Sequence, residues 1–303
     1  MRKGKTISSI ILISIFLSAF FFSCKDKKQH SEVSRGKLEH NGLTREYIYY
    51  SPDNLNKGAP LVVVLHGFTS SAEKIMNYSE FNKVAEENNF AVVYPQGTMD
   101  NDSNTFWNVG YTFHSDIGID DVDFIVSLVN YLQYKYPLSV TNTFLTGMSN
   151  GGEMCYLLVC KHPDVFKATA PVAGMMLHSF FDNCNSMKPV PVLAVFGTDD
   201  DITNFNGDLN NNDGWGAYIS IPSTIDYWAK RIDYDTLIID SIPDIYIDDS
   251  SYIVSERYLN RQTEKEVLFY KVINGGHDWP GAWGNMDVPI SNEIWNFFKE
   301  YVK

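Results

Sequence analysis

Gly147-Met148-Ser149-Asn150-Gly151 sets a serine between two glycines, a spacing that can present a hydroxyl as an acyl-transfer nucleophile. Upstream, Thr143-Phe144-Leu145-Thr146 reads as a short strand, and downstream Gly152 to His162 reads as a helix ending at Pro163. A strand that turns sharply into a helix throws the serine out at the carboxyl end of a sheet, and the glycines let backbone pass close by. Such a hydroxyl needs a base, a group that orients the base, and donors for the oxyanion. Asp199-Asp200-Asp201 follows the strand-like run Pro191 to Phe196, and His277 follows Val267 to Val272. Serine, then acid, then histidine is the chain order expected for this elbow. Both partners fall just past the carboxyl ends of strands, where ligand sites of open α/β sheets collect. Asp200 is the first choice of acid, with Asp199 and then Asp201 behind it. The backbone N–H groups of Phe68 and Asn150 are the expected oxyanion donors, because a backbone amide does this work whatever its side chain. His66 reads as structural, holding its turn by hydrogen bonds.

The elements that must position these groups alternate along the chain. Arg45 to Tyr50 reads as an edge strand, and Leu61 to Leu65 as a strand buried on both faces. Ala72 to Asn88 carries helical spacing, and Phe90 to Tyr94 is strand-like. Asp121 to Tyr136 is an amphipathic helix whose aspartate-rich start suits the positive end of the helix dipole. Ala168 to Val172 is a further strand, and Ser223 to Arg231 and Ser291 to Tyr301 are helices. Alternation of this kind implies an α/β fold with a mostly parallel, doubly wound sheet and helices on both faces. Thr236–Ile239, Ile253–Tyr258 and Val267–Val272 suggest an antiparallel hairpin grafted onto it.

The amino terminus is a separate matter. Arg2, Lys3 and Lys5 precede an apolar run from Ile7 to Phe22, which Ser23-Cys24 ends. The run is short for a membrane span and reads as an export signal. A small residue before a cysteine resembles a lipoprotein cleavage box, so residues 1–23 are expected to be a signal peptide and Cys24 a lipid-modified membrane anchor. Residues 24–37 read as a polar tether, and residues 38–303 as one catalytic domain. Cleavage would move the charge from −13 to −16, because it removes three basic and no acidic side chains. So acidic a chain is not expected to partner nucleic acid. In an exported protein Cys160 is expected to pair with Cys184, and Cys155 to remain a buried thiol.

Trp107, Trp279 and Trp283 are candidates to line a cleft and stack on a sugar or phenolic ring. Core packing is the competing role for the first two, whereas Trp283 sits in a glycine-rich loop. Asp208 to Gly214 superficially suggests a calcium loop, but its glycine falls one place late and the terminal acidic ligand is missing. No metal is expected.

His66-Gly67, Trp107-Asn108, Asp120 to Ile125, Gly147 to Gly152, Ala170 to Gly174, Gly197-Thr198-Asp199-Asp200 and Gly275 to Gly281 together resemble the polyhydroxybutyrate depolymerase and feruloyl esterase family of secreted α/β-hydrolases. The resemblance runs over about residues 38–303. It implies the α/β-hydrolase fold and carboxylic-ester hydrolysis through an acyl-enzyme, without metal or organic cofactor. Its Gly-Thr-x-Asp pattern points to Asp200 as the acid, and its Gly-Gly-His-x-Trp-Pro-Gly segment to His277 as the base. Feruloyl or acetyl esters of plant polysaccharide are the implied substrates, with a polyhydroxyalkanoate polyester as the alternative. The chain departs from the pattern at Phe68, where a bulky side chain would narrow an acyl pocket, and after Asp200. A non-catalytic surface lipoprotein that binds glycan in the same cleft is the reading of another class.

Overall fold

Leu61, Val63 and Leu65 turn to one face of their strand, and Val62 and Val64 to the other; all five are buried. The computed structural model that shows this describes Met1, residues 32–184 and residues 188–303. The candidate signal peptide and Cys24 lie outside the described residues.

In chain order the elements are β1 (Glu32–His40), β2 (Leu43–Ser51), β3 (Ala59–Leu65), α1 (Ala72–Ser79), α2 (Phe81–Asn88) and β4 (Ala91–Pro95). The short β5 (Thr98–Met99) and β6 (Thr105–Phe106) pair with each other ahead of α3 (Asp121–Lys135), β7 (Leu138–Met148), α4 (Asn150–Lys161) and β8 (Ala168–Val172). Next come β9 (Met176–Leu177), α5 (His178–Phe181), β10 (Val192–Gly197), β11 (Tyr218–Ile219) and α6 (Ile221–Arg231). The chain ends with β12 (Thr236–Ser241), β13 (Tyr252–Asn260), β14 (Lys265–Ile273) and α7 (Ile290–Lys299).

Ten strands form the main sheet, in the order β1-β2-β4-β3-β7-β8-β10-β14-β13-β12. The run from β4 to β14 is parallel throughout. Antiparallel pairs close both margins, β1–β2 on one side and β13–β12 on the other. Residues of α3, α4 and α6 bury their apolar stripes on one face, and those of α1, α2 and α7 on the opposite face. This is the doubly wound arrangement that strand–helix alternation requires.

Three sequence expectations are corrected. The strand read as an edge, now β2, is covered on its open side by β1, which pairs with it along its whole length. β1 also takes up residues 32–37, which the polar composition marked as tether. An edge strand buries only part of its surface, so Arg35, Lys37 and Glu39 can point to solvent while the ladder holds the backbone. The helical stretch Ala72 to Asn88 is two helices, broken where Glu80 adopts φ 52° and its N–H turns back to the Met76 carbonyl. The expected antiparallel hairpin is present as β13 and β14, and β14 joins it to the main sheet by pairing parallel with β10.

Candidate active site

Ser149 sits between β7 and α4 with φ 54° and ψ −123°, a region that non-glycine residues avoid and that marks a strained turn. Its N–H is tied to the Val172 carbonyl at 2.8 Å, and its own carbonyl accepts from the Glu153 N–H at 2.9 Å. Close packing explains the glycines. A Cβ on Gly151 would lie 2.5 Å from the Leu65 carbonyl oxygen, so only glycine lets the start of α4 meet the end of β3.

His277 and Asp200 come from the loops after β14 and β10, which are neighbours in the sheet. The His277 Nδ1–H donates to Asp200 Oδ2 at 2.7 Å, since an ionised carboxylate can only accept. The remaining capacity of that carboxylate is used as well. Oδ1 accepts from the Ile202 and Thr203 N–H groups at 2.9 and 2.8 Å, and Oδ2 takes the Thr203 hydroxyl at 3.2 Å. With Nδ1 carrying the proton, Nε2 keeps a free lone pair for base chemistry. Asp199 and Asp201 are exposed instead.

Ser149 and His277 line one cavity of about 670 Å³, together with Gly67, Phe68, Ser70, Lys74, Ile75, Asn77, Tyr78 and Met148. Gly67 brings the loop after β3 alongside the serine: a Cβ there would be 3.3 Å from Ser149 Cβ. Asn150 is the first residue of α4, so its N–H has no acceptor within the helix. Phe68 is half-buried and meets Tyr111, Phe113 and Trp215 at ring separations of 6.3, 6.0 and 5.9 Å.

His66 is fully buried. Its Nδ1–H donates to the Gly67 carbonyl at 2.7 Å, and its Nε2 accepts the Gly97 N–H at 2.9 Å. Burial holds this imidazole neutral and lowers its pKa from 6.5 to about 4. Trp107 stands beside it with its ring nitrogen donating to the His66 carbonyl at 2.9 Å.

None of the three tryptophans lines the cavity that holds Ser149 and His277, which corrects the expectation placed on them. Trp107 and Trp279 are 0% and 1% exposed, and the Trp279 indole donates to the Ser291 hydroxyl. Each has its polar edge satisfied inside the protein, and Trp279 borders a neighbouring cavity of about 410 Å³ instead. Trp283 is 69% exposed but lies outside the cavity that holds Ser149 and His277. Ile75, Tyr78 and Met148 do line that cavity and carried no sequence signal beyond helix or strand membership.

The Asn150 side chain was also missed. Its Oδ1 accepts the Trp107 N–H at 2.7 Å and its Nδ2 donates to the Trp107 carbonyl at 3.1 Å, which fastens the Trp107–Asn108 loop to the elbow. Asp121 supports that loop from the other side, taking the Asn108 N–H at 2.7 Å and Arg45 at 2.6 Å. A disulfide joins Cys160 at the end of α4 to Cys184, and Cys155 is free and buried. Among the described residues no cluster of histidine, cysteine and carboxylate groups is arranged to hold a metal.

The doubly wound sheet with a serine elbow after its central strand defines an α/β-hydrolase. Residues 45–195 match the family model described as Esterase PHB depolymerase. It is 27% identical over 191 residues to acetylxylan esterase A of Talaromyces purpureogenus, covering 60% of this chain and 49% of that one. It is 31% identical over 175 residues to poly(3-hydroxyalkanoate) depolymerase C of Paucimonas lemoignei, covering 57% and 42%. The chain thus spans about half or less of these relatives. The solved acetyl xylan esterase from Aspergillus awamori superposes with a TM-score of 0.62 at 15% identity, over 88% of this chain and 99% of that one, and so shares the fold.

Proposed function

We propose that the chain is a serine carboxylic-ester hydrolase. The observation that carries this reading is the His277–Asp200 hydrogen bond of 2.7 Å at the rim of the cavity that Ser149 also lines. Ser149 Oγ attacks the ester carbonyl while His277 Nε2 takes its proton. The oxyanion so formed is received by the Phe68 and Asn150 N–H groups. Collapse breaks the C–O bond, the alcohol leaves with the proton from His277, and an acyl-serine remains. Water repeats the sequence and releases the acid. Asp200 fixes the imidazole tautomer and stabilises the imidazolium.

The substrates we infer are acetyl or feruloyl esters of plant polysaccharide. The likeness to an acetylxylan esterase and the apolar lining of Phe68, Ile75, Tyr78 and Met148, which suits an acyl group, support this. A polyhydroxyalkanoate polyester is the second reading, favoured by the likeness to poly(3-hydroxyalkanoate) depolymerase C. We further propose that residues 1–23 direct export and that lipid on Cys24 holds the domain outside the cytoplasm on a membrane.

A fluorophosphonate probe should label Ser149 in the folded protein and leave Ser149→Ala unlabelled. Hydrolysis of acetylated xylan, methyl ferulate and polyhydroxybutyrate film would then rank the substrates. Absence of both labelling and turnover would sink the esterase and leave the glycan-binding reading. Radiolabelled palmitate incorporated into the wild type and not into Cys24→Ser would support the anchor, and equal incorporation would remove it.

A further inference from the structure

Directly beneath the elbow lies a carboxyl group that the mechanism above does not use. Glu153 is in the first turn of α4, only 1% exposed, with its N–H bonded to the Ser149 carbonyl. Neither of its carboxyl oxygens has a hydrogen-bond partner of good geometry. Tyr111 and the Asn150 amide nevertheless face it closely enough to favour its charge, and His277 does so by Coulomb attraction. A fully buried carboxyl without a cation beside it is costly to a fold. Alanine or leucine would serve the packing of this turn better, so the acid calls for a role.

Its neighbours supply one. Asn150 is at once a candidate oxyanion donor and the residue that fastens the Trp107 loop. Tyr111 is buried and stays protonated, and its ring packs against Phe68, the other oxyanion residue and a wall of the cavity. One side chain therefore touches the supports of both donors and feels the base. We propose that Glu153 is a positioning residue for the serine centre, holding Asn150 and Tyr111 under the elbow and, when ionised, favouring the imidazolium form of His277. This inference rests on the esterase reading. The titratable groups that face the carboxyl are Tyr111, from the loop before α3, and His277, from the loop after β14. Burial raises the Glu153 pKa from 4.5 to about 7, which brings its ionisation into the range where a histidine base works.

The test is the pH profile of kcat/KM for p-nitrophenyl acetate in the wild type and in Glu153→Gln. Ionised Glu153 attracts a charged imidazole, so its removal should move the acid limb of the profile to lower pH. We expect kcat at pH 8 to fall about tenfold, with KM changed less than about threefold. A purely structural Glu153 would lower activity evenly and leave the shape of the profile unmoved. Superimposable profiles would overturn the proposal.

Tyr111→Phe is the second variant, for use if Glu153→Gln does not fold. Loss of the hydroxyl that faces the carboxyl makes it harder to ionise, and the Glu153 contribution should move to higher pH. An unmoved profile in that variant would equally overturn the proposal. Wild type that labels with fluorophosphonate and turns over ester, beside an unchanged Glu153→Gln, refutes this inference alone. Wild type that does neither refutes the esterase reading itself.

Discussion

At the scale of single residues the site is a balance of buried groups whose charges are set by their surroundings. Replacing Ser149 or His277 by alanine should lower kcat by about three orders of magnitude or more with little change in folding, as measured by ester turnover beside a melting curve. Asp200→Asn should cost a comparable factor, because the asparagine amide can no longer hold the Nδ1–H tautomer. Two buried groups act on stability in opposite directions. For His66, lowered from 6.5 to about 4, the unfolded chain binds a proton between those values that the folded protein refuses, so stability falls as pH drops through that window. For Glu153, raised from 4.5 to about 7, the folded protein keeps a proton that the unfolded chain releases, so stability falls as pH rises. Each effect is worth about 3 kcal/mol and they nearly cancel in the wild type. Glu153→Gln should therefore unmask the His66 dependence. Its melting temperature relative to wild type should climb between pH 4.5 and 7, and a constant offset across that range would contradict the account.

At the scale of elements, what could be read from the sequence was what repeats. The apolar run Leu61 to Leu65, the elbow glycines and the order Ser149, Asp200, His277 each carry a pattern that backbone geometry demands. What could not be read was tertiary in origin. The break at Glu80 leaves helical spacing intact on both sides, so nothing local distinguishes one helix from two. Trp107 resembles a cleft residue until the His66 carbonyl is seen to occupy its indole nitrogen. The cavity wall came instead from Tyr78 and Met148, residues whose neighbours in space are far away in sequence. Phe68 is the wall most open to alteration. Phe68→Ala should enlarge the cavity and raise kcat/KM for butyrate relative to acetate esters, read from a p-nitrophenyl series, while keeping its backbone N–H in place. The disulfide between Cys160 and Cys184 closes a loop of 24 residues, and Cys184→Ser should cost about 3 kcal/mol in urea unfolding.

At the scale of the whole molecule the ten-stranded sheet divides its labour between centre and margins. Leu237, Ile238 and Ile239 on β12 are 45%, 48% and 63% exposed, on a margin strand whose outer backbone edge no other strand of the sheet covers. Such an edge invites pairing with another unfolding chain. Ile239→Lys should reduce light scattering on heating without altering ester turnover, and unchanged scattering would show that aggregation starts elsewhere. The centre behaves differently. Ser149 follows β7, which has four strands on one side and five on the other. Amides of that strand should be among the last to exchange with deuterium, because only global opening frees them. Ser149, the proposed nucleophile, would thus be moored to the most slowly breathing part of the protein. Its reactivity towards a fluorophosphonate should vanish in urea together with the final loss of tertiary fluorescence, rather than ahead of it.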